Sequence, residues 1–331
     1  MDGEEPGAAG RLLRRVDDAQ QRRSALAFPV AVAKKFGDDR AGQLAALIAY
    51  YGFFSLFPLL LVFATVVAIV VRDDPELQAA LVDSALRQFP VVGTKIGESI
   101  EELSGSPITL VVGIAGALWS GTAVVTAAQH AMDEVWDVPR AERPAWWRRA
   151  LRALVLLSVV AAAIAASAFL AGLGDGEGAV SLLGRVLAGA VVLAVSVGLF
   201  AVAYRVLTVA EVRWREVLPG SIVAGVGWGL LLLVGSWIVD RQIRDASQAY
   251  GFFAIVIGLL TWIFLVAQVF VAGAEVNVVR ARRLWPRSLV DPPLREEDER
   301  VLAAQAREER ARPGERIDVR FGDRRTGAGS R

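Results

Sequence analysis

From Tyr250 to Val279 the chain reads YGFFAIVIGLLTWIFLVAQVFVAGAEVNVV, uncharged until Glu275, with Arg280 closing the run. At ~1.5 Å per residue a helix of this length reaches about 45 Å, more than a tilted helix needs to cross a hydrocarbon core of ~30 Å. A surface this apolar has to be buried in lipid or in other protein. The stretch predicts a last membrane span, with further spans packed around its polar stripe. The whole chain agrees: 54% of its residues are hydrophobic and its mean hydropathy is +0.45, more than a soluble domain ordinarily hides.

Five further apolar stretches predict five more spans, at about Leu44–Val71, Pro107–His130, Leu151–Leu173, Leu182–Val206 and Val217–Val239. Pro58 removes a backbone donor inside the first and predicts a kink there. The expected fold is all-α: a polytopic membrane protein of six transmembrane helices plus short amphipathic helices. Three regions follow. Residues 1–40 form a basic arm ending in an interfacial helix, LAFPVAVAKKF, too short to span. Residues 41–280 form the transmembrane domain, with 72–106 as an extracytoplasmic helical loop. Residues 281–331 form a charged tail, with disorder expected after about residue 300. The fourth span follows the turn GDGEG, and a short turn over 240–249 is expected to lead into the sixth.

Basic residues concentrate in the N-terminus, the 131–149 loop, the 205–215 loop and the 280–287 stretch. The positive-inside rule then places both termini in the cytoplasm. The predicted topology is multi-pass, with the lipid bilayer as the chain's principal partner.

Composition removes several chemistries. Cysteine is absent, so disulfides, thiolate nucleophiles and Cys-ligated zinc are excluded. One histidine cannot build a multi-His centre. A net charge of +1 supplies no field to recruit nucleic acid. No catalytic motif, metal site or cofactor is predicted, and the expectation is a protein without enzymatic activity.

Polar residues in the spans fall on shared faces. Ala254, Thr261, Gln268 and Glu275 recur every seven residues on the sixth span, a step that drifts only ~20° around a helix. Thr122, Thr126, Gln129 and Asp133 line one face of the second span. Tyr51, Ser55 and Pro58 share a face of the first. The set Tyr51, Ser55, Thr122, Thr126, Gln129, Gln268 and Glu275 is a candidate polar path opening toward the cytoplasm. Interhelical hydrogen bonding, or an interfacial ion pair for Glu275, explains the same pattern without a path. On the fifth span, Ser221, Gly225 and Gly229 step by four and predict close helix packing.

Four segments together resemble the YihY / virulence factor BrkB family of bacterial membrane proteins, over roughly Ala41 to Val279. They are AALIAYYGFFSLFPLLL, GALWSGT, LPGSIVAGVGW and the closing YGFFAIVIGLLTWIFLVAQVFVAGAEVN. The first-span motif stands here as Tyr50, Tyr51, Phe54, Ser55, Phe57 and Pro58, and the closing motif as Gly273, Ala274, Glu275 and Asn277. Gly121 and Thr122 stand where members often have Ser-Arg-Gly, so no basic residue occupies that place. The resemblance implies an integral plasma-membrane protein of about six helices. It also brings an older label, ribonuclease BN, which a chain with one histidine and no acidic ligand cluster does not fit. Two functional expectations remain: passage of a small solute, ion or lipid between the helices, or a non-transporting scaffold or regulator of the envelope. The sequence does not set the oligomeric state.

Overall fold

The computed structural model describes residues 17, 19–70, 107–158, 182–250, 252–290 and 294–321, and among them the regular elements are all helical. We number them α1 (Ser24–Asp38), α2 (Ala41–Val70), α3 (Pro107–Val135), α4 (residues 146–158), α5 (Leu182–Leu207), α6 (Trp214–Tyr250), α7 (Phe252–Arg282) and α8 (Glu296–Glu308). A single 3-10 turn, Arg140–Glu142, lies between α3 and α4. The predicted 72–106 loop, most of the third span and the GDGEG turn lie outside the described residues.

Stretches of α5, α6 and α7 (Gly189–Leu207, Trp214–Gly235 and Val256–Arg282) are long and apolar enough to cross a membrane. Their outward side chains, among them Val192, Leu233 and Ile257, are exposed, as a lipid-facing surface requires. The sixth predicted span is central: α7 packs against α6, α2, α3 and α1. Helix α2 packs chiefly on α3, and α5 on α6.

Lipid supplies no hydrophobic drive between helices, so close packing of small residues brings them together. Helix α3 meets the Pro58 turn of α2 at Gly116, where an added Cβ would lie 3.2 Å from the proline Cβ. The tightest crossing is α6 on α7. A Cβ at Gly220 would stand 1.9 Å from the Gly273 carbonyl oxygen, so only glycine fits. The Gly220 amide there donates to Asn277 Oδ1 at 2.7 Å, and the Tyr204 hydroxyl donates to the Phe270 carbonyl at 2.7 Å. Of the packing residues expected on this helix, Ser221 is buried with its hydroxyl on the Val217 carbonyl, and Gly225 faces Val197. At Gly229 an added Cβ would meet nothing within 4 Å among the described residues.

Two expectations about connections are corrected. The 240–249 segment is not a turn but the end of α6, which continues to Tyr250. DRQIRDASQAY contains neither glycine nor proline, and the first helix breaker is Gly251. The disorder expected after about residue 300 gives way over Glu296–Glu308 to α8, which is amphipathic and buries Asp298, Val301, Ala303 and Glu308. The stretch LAFPVAVAKKF is helical, as part of α1, and α1 packs on α7 and α2, with Ala27, Ala31 and Lys35 buried.

Candidate functional site

The site is built where one end of α2, α3 and α7 meets α1 and α8. Helix α1 stops at Asp38 and α2 starts at Ala41, so the reversal is only two residues long. Arg40 makes it by adopting φ 50°, a left-handed conformation costing a non-glycine residue about 1 kcal/mol. The tight turn brings Asp39 back onto the Lys35 ammonium, with which it pairs. Lys35 is fully buried. Its position follows from α1: Ala27, Ala31 and Lys35 are four apart and form one buried stripe.

Helix α3 ends similarly. Asp137 takes φ 46°, while the Val138 amide donates to the Asp133 carbonyl at 2.8 Å. Aspartate tolerates this conformation better than most residues. The turn aims Asp137 at Lys35, 3.5 Å away, and at Arg282 of α7, which also donates to the Trp136 carbonyl. Lys35 further donates to the Val135 carbonyl at 3.3 Å. Glu275, about two turns before Arg282 on α7, completes the unit and is fully buried.

Burial alone would push the Lys35 pKa down. The carboxylates override it, Glu275 most strongly, then Asp137 and Asp39, and hold the ammonium above its ordinary value. Burial pushes Asp39 up, against the pull of Lys35. Neither oxygen of Glu275 receives a hydrogen bond. The unit thus sets three carboxyl groups, Asp39, Asp137 and Glu275, beside two cationic side chains, Lys35 and Arg282.

A second cluster flanks it. Gln129 donates to the Arg149 carbonyl at 3.0 Å, and Arg149 pairs with Asp133 at 2.7 Å. Arg143 pairs with Glu134 at 3.1 Å and Glu308 of α8 at 2.5 Å, and meets His130 Nδ1 at 3.3 Å. A third network joins residues just before and within α1 to the segment between α7 and α8. Asp298 accepts from Arg287 at 2.7 Å and the Ser288 amide at 3.0 Å, and pairs with Lys34 at 3.1 Å. Asp17 accepts from the Leu289 amide at 3.0 Å, and Gln20 donates to the Arg287 carbonyl at 2.8 Å. Among the described residues no group of three or more His, Asp or Glu side chains is arranged to hold a metal.

The predicted path residues have separate partners. Glu275 enters the buried charge unit and Gln129 the flanking cluster. Ser55 donates to the Gly52 carbonyl at 2.9 Å, Thr122 to Leu118 and Trp119, and Thr126 to Thr122. These hydroxyls are satisfied within their own helices. Tyr51 is exposed, edge-to-face with Tyr50 at 5.3 Å, and Gln268 is half-buried on α7. Sequence reasoning missed Lys35, Asp39, Asp137, Arg143, Arg149 and Arg282. Only Lys35 carried a signal, its i, i+4 spacing from two buried alanines.

A model of the family described as virulence factor BrkB matches residues 32–297. The UPF0761 membrane protein Smlt0865 of Stenotrophomonas maltophilia (strain K279a) is 27% identical over 277 residues, 79% of this chain and 62% of that protein. The chain therefore matches less than two thirds of that relative's length. The inner membrane protein YhjD of Escherichia coli (strain K12) is 22% identical over 268 residues, 75% of this chain and 79% of YhjD. A Bacillus subtilis (strain 168) protein, YfkH, whose name describes it as ribonuclease-like, is 23% identical over 251 residues, 72% of this chain and 90% of YfkH. No solved structure matches the chain.

Proposed function

The chain belongs to the virulence factor BrkB family of membrane proteins, and from that premise we propose that it carries a small solute or ion across the bacterial plasma membrane. In this reading six helices span the bilayer, both termini are cytoplasmic, and the charged end of α2, α3 and α7 is the cytoplasmic mouth. The carrying observation is that three carboxyl groups, Asp39, Asp137 and the fully buried Glu275, gather on the buried Lys35, with Arg282 at the edge, so that the acids outnumber the cations by one. A desolvated cluster with unbalanced charge is costly, and uptake of a proton or small cation relieves the imbalance. Ionisable groups at membrane depth commonly mark ion paths. Gln129 and the Asp133–Arg149 pair line the approach.

The test is flux into proteoliposomes, with internal pyranine reporting protons and radiolabelled sodium or potassium reporting cations. Wild-type protein should carry one of these above the rate of empty vesicles, and Glu275→Gln should abolish the excess. Absence of flux for all three, or flux untouched by the substitution, would overturn the reading.

A second reading has its own observation. The hydroxyls of Ser55, Thr122 and Thr126 are spent on their own helices, as in a bundle that transports nothing. The chain would then be an envelope scaffold or regulator, with α8 its exposed cytoplasmic element. Cross-linking that captures a partner in cells, lost when residues 300–331 are deleted, would favour this over transport.

A further inference from the structure

We propose that α8 is a latch across the charged end of the bundle, and that a single proton shared between Glu134 and Glu308 sets how firmly it closes. The helix touches three places along its length. At its start Asp298 is gripped by Arg287, Lys34 and the Ser288 amide. At its middle Gln305 donates to Asp39 Oδ1 at 3.0 Å, so α8 lies directly on the buried charge unit. At its end Glu308 meets Arg143 at 2.5 Å, and Glu309 meets Arg140 at 3.1 Å.

The two ends differ chemically. Burial pushes Asp298 up, but its donors win and hold the carboxyl below its ordinary value. That end is a carboxylate with matched donors, and ordinary pH leaves it shut. Glu308 instead faces a second carboxylate, Glu134, across one guanidinium. Burial first, then Glu134, push Glu308 up to about 9 against the pull of Arg143, while Glu134 is held low. The other charged groups around the pair are His130 and Asp133 on α3, Asp137 just after it, Arg140 and Arg143 in the connection to α4, Arg149 on α4, and Glu309 immediately after α8. Two carboxylates close together and half-desolvated titrate as a pair, and one proton bridges them.

The sign follows from linkage. Released, Glu308 returns to its ordinary carboxylate value. Closed, its value is raised, so closing takes up a proton. The contribution is complete below the ordinary carboxylate range and is lost as pH rises toward about 9. Glu134 moves the other way, and its contribution fades only as pH falls below the carboxylate range. Across neutral pH, acid therefore tightens the latch and alkali loosens it at its Glu308 end. Closing would also occlude the mouth of the proposed path. That consequence rests on the transport reading, whereas the latch does not.

Amide hydrogen exchange of α8 in the full-length protein in lipid nanodiscs, corrected for the intrinsic rate, tests the latch alone. Protection over residues 303–308, relative to α3, should fall by up to about tenfold per unit as pH rises from 7 to 9, the limit for one linked proton. In Glu308→Gln that slope should vanish, and Glu134→Gln should flatten it as well. A wild-type slope of zero, or an unchanged slope in Glu308→Gln, would overturn the proposal. The wild-type arm decides even if neither variant folds.

Discussion

On α2 and α3 the hydroxyls of Ser55, Thr122 and Thr126 donate to carbonyls of their own helix, three or four residues back. At one end of the same helices Lys35, Asp39, Asp137 and Glu275 converge from α1, the α1–α2 turn, the end of α3 and α7. Both sets are polar groups in an apolar setting, but only the second needs tertiary structure. A hydroxyl finds an acceptor one turn away and places no demand on its neighbours. A buried ammonium or carboxylate has no such local partner, so its compensation must arrive from elsewhere in the chain. The charges therefore organise the fold, and the hydroxyls decorate it.

Removing a charge should cost most. Lys35→Met leaves Asp39, Asp137 and Glu275 without their shared cation and should destabilise the protein by about 3–5 kcal/mol, measured by denaturation in bicelles. A cost below about 1 kcal/mol would mean that the acids are already neutral or hydrated. Packing comes next. Gly220→Ala drives a methyl into the Gly273 carbonyl and should cost about 1–3 kcal/mol. Gly229→Ala, facing open space on the same helix, should be neutral or stabilising by up to about 1 kcal/mol.

The Asp298 network gives a smaller effect with a pH signature. Asp298→Asn should cost about 1–2 kcal/mol at neutral pH. Because the wild-type carboxyl is held low, its contribution is present above the ordinary carboxylate range and lost as pH falls through it. The variant's penalty should therefore shrink in acid. The smallest effect is expected from Thr126→Val, within about 0.5 kcal/mol, since its hydroxyl serves only its own helix. A loss above 1 kcal/mol there would break the contrast between the two regions.

The sequence displayed the apolar helices because lipid forces each to be continuous and uncharged, and α7 was legible from its run alone. Glycine spacing pointed to Ser221, Gly225 and Gly229 on α6 and passed over Gly220, where the backbone approach is tightest. Which glycine sits at a crossing depends on the partner helix, here on Gly273 and Asn277. The tail looked disordered by composition, but α8 is held by Arg287, Lys34, Asp39 and Arg143, partners that charge counting cannot reveal. Glu275 was visible as a lone acid in an apolar run. Its companions were not, because Lys35 and Asp137 lie 240 and 138 positions away and look like ordinary surface charges at helix ends.

A double-mutant cycle on Lys35 and Glu275 measures directly whether these distant charges act as one unit. Unfolding free energies of Lys35→Met, Glu275→Gln and the double variant should give a coupling of about 1–3 kcal/mol, the double variant being more stable than the sum of the singles implies. Single effects that add within about 0.5 kcal/mol would show that the two residues do not sense each other, and the unit would not exist as described.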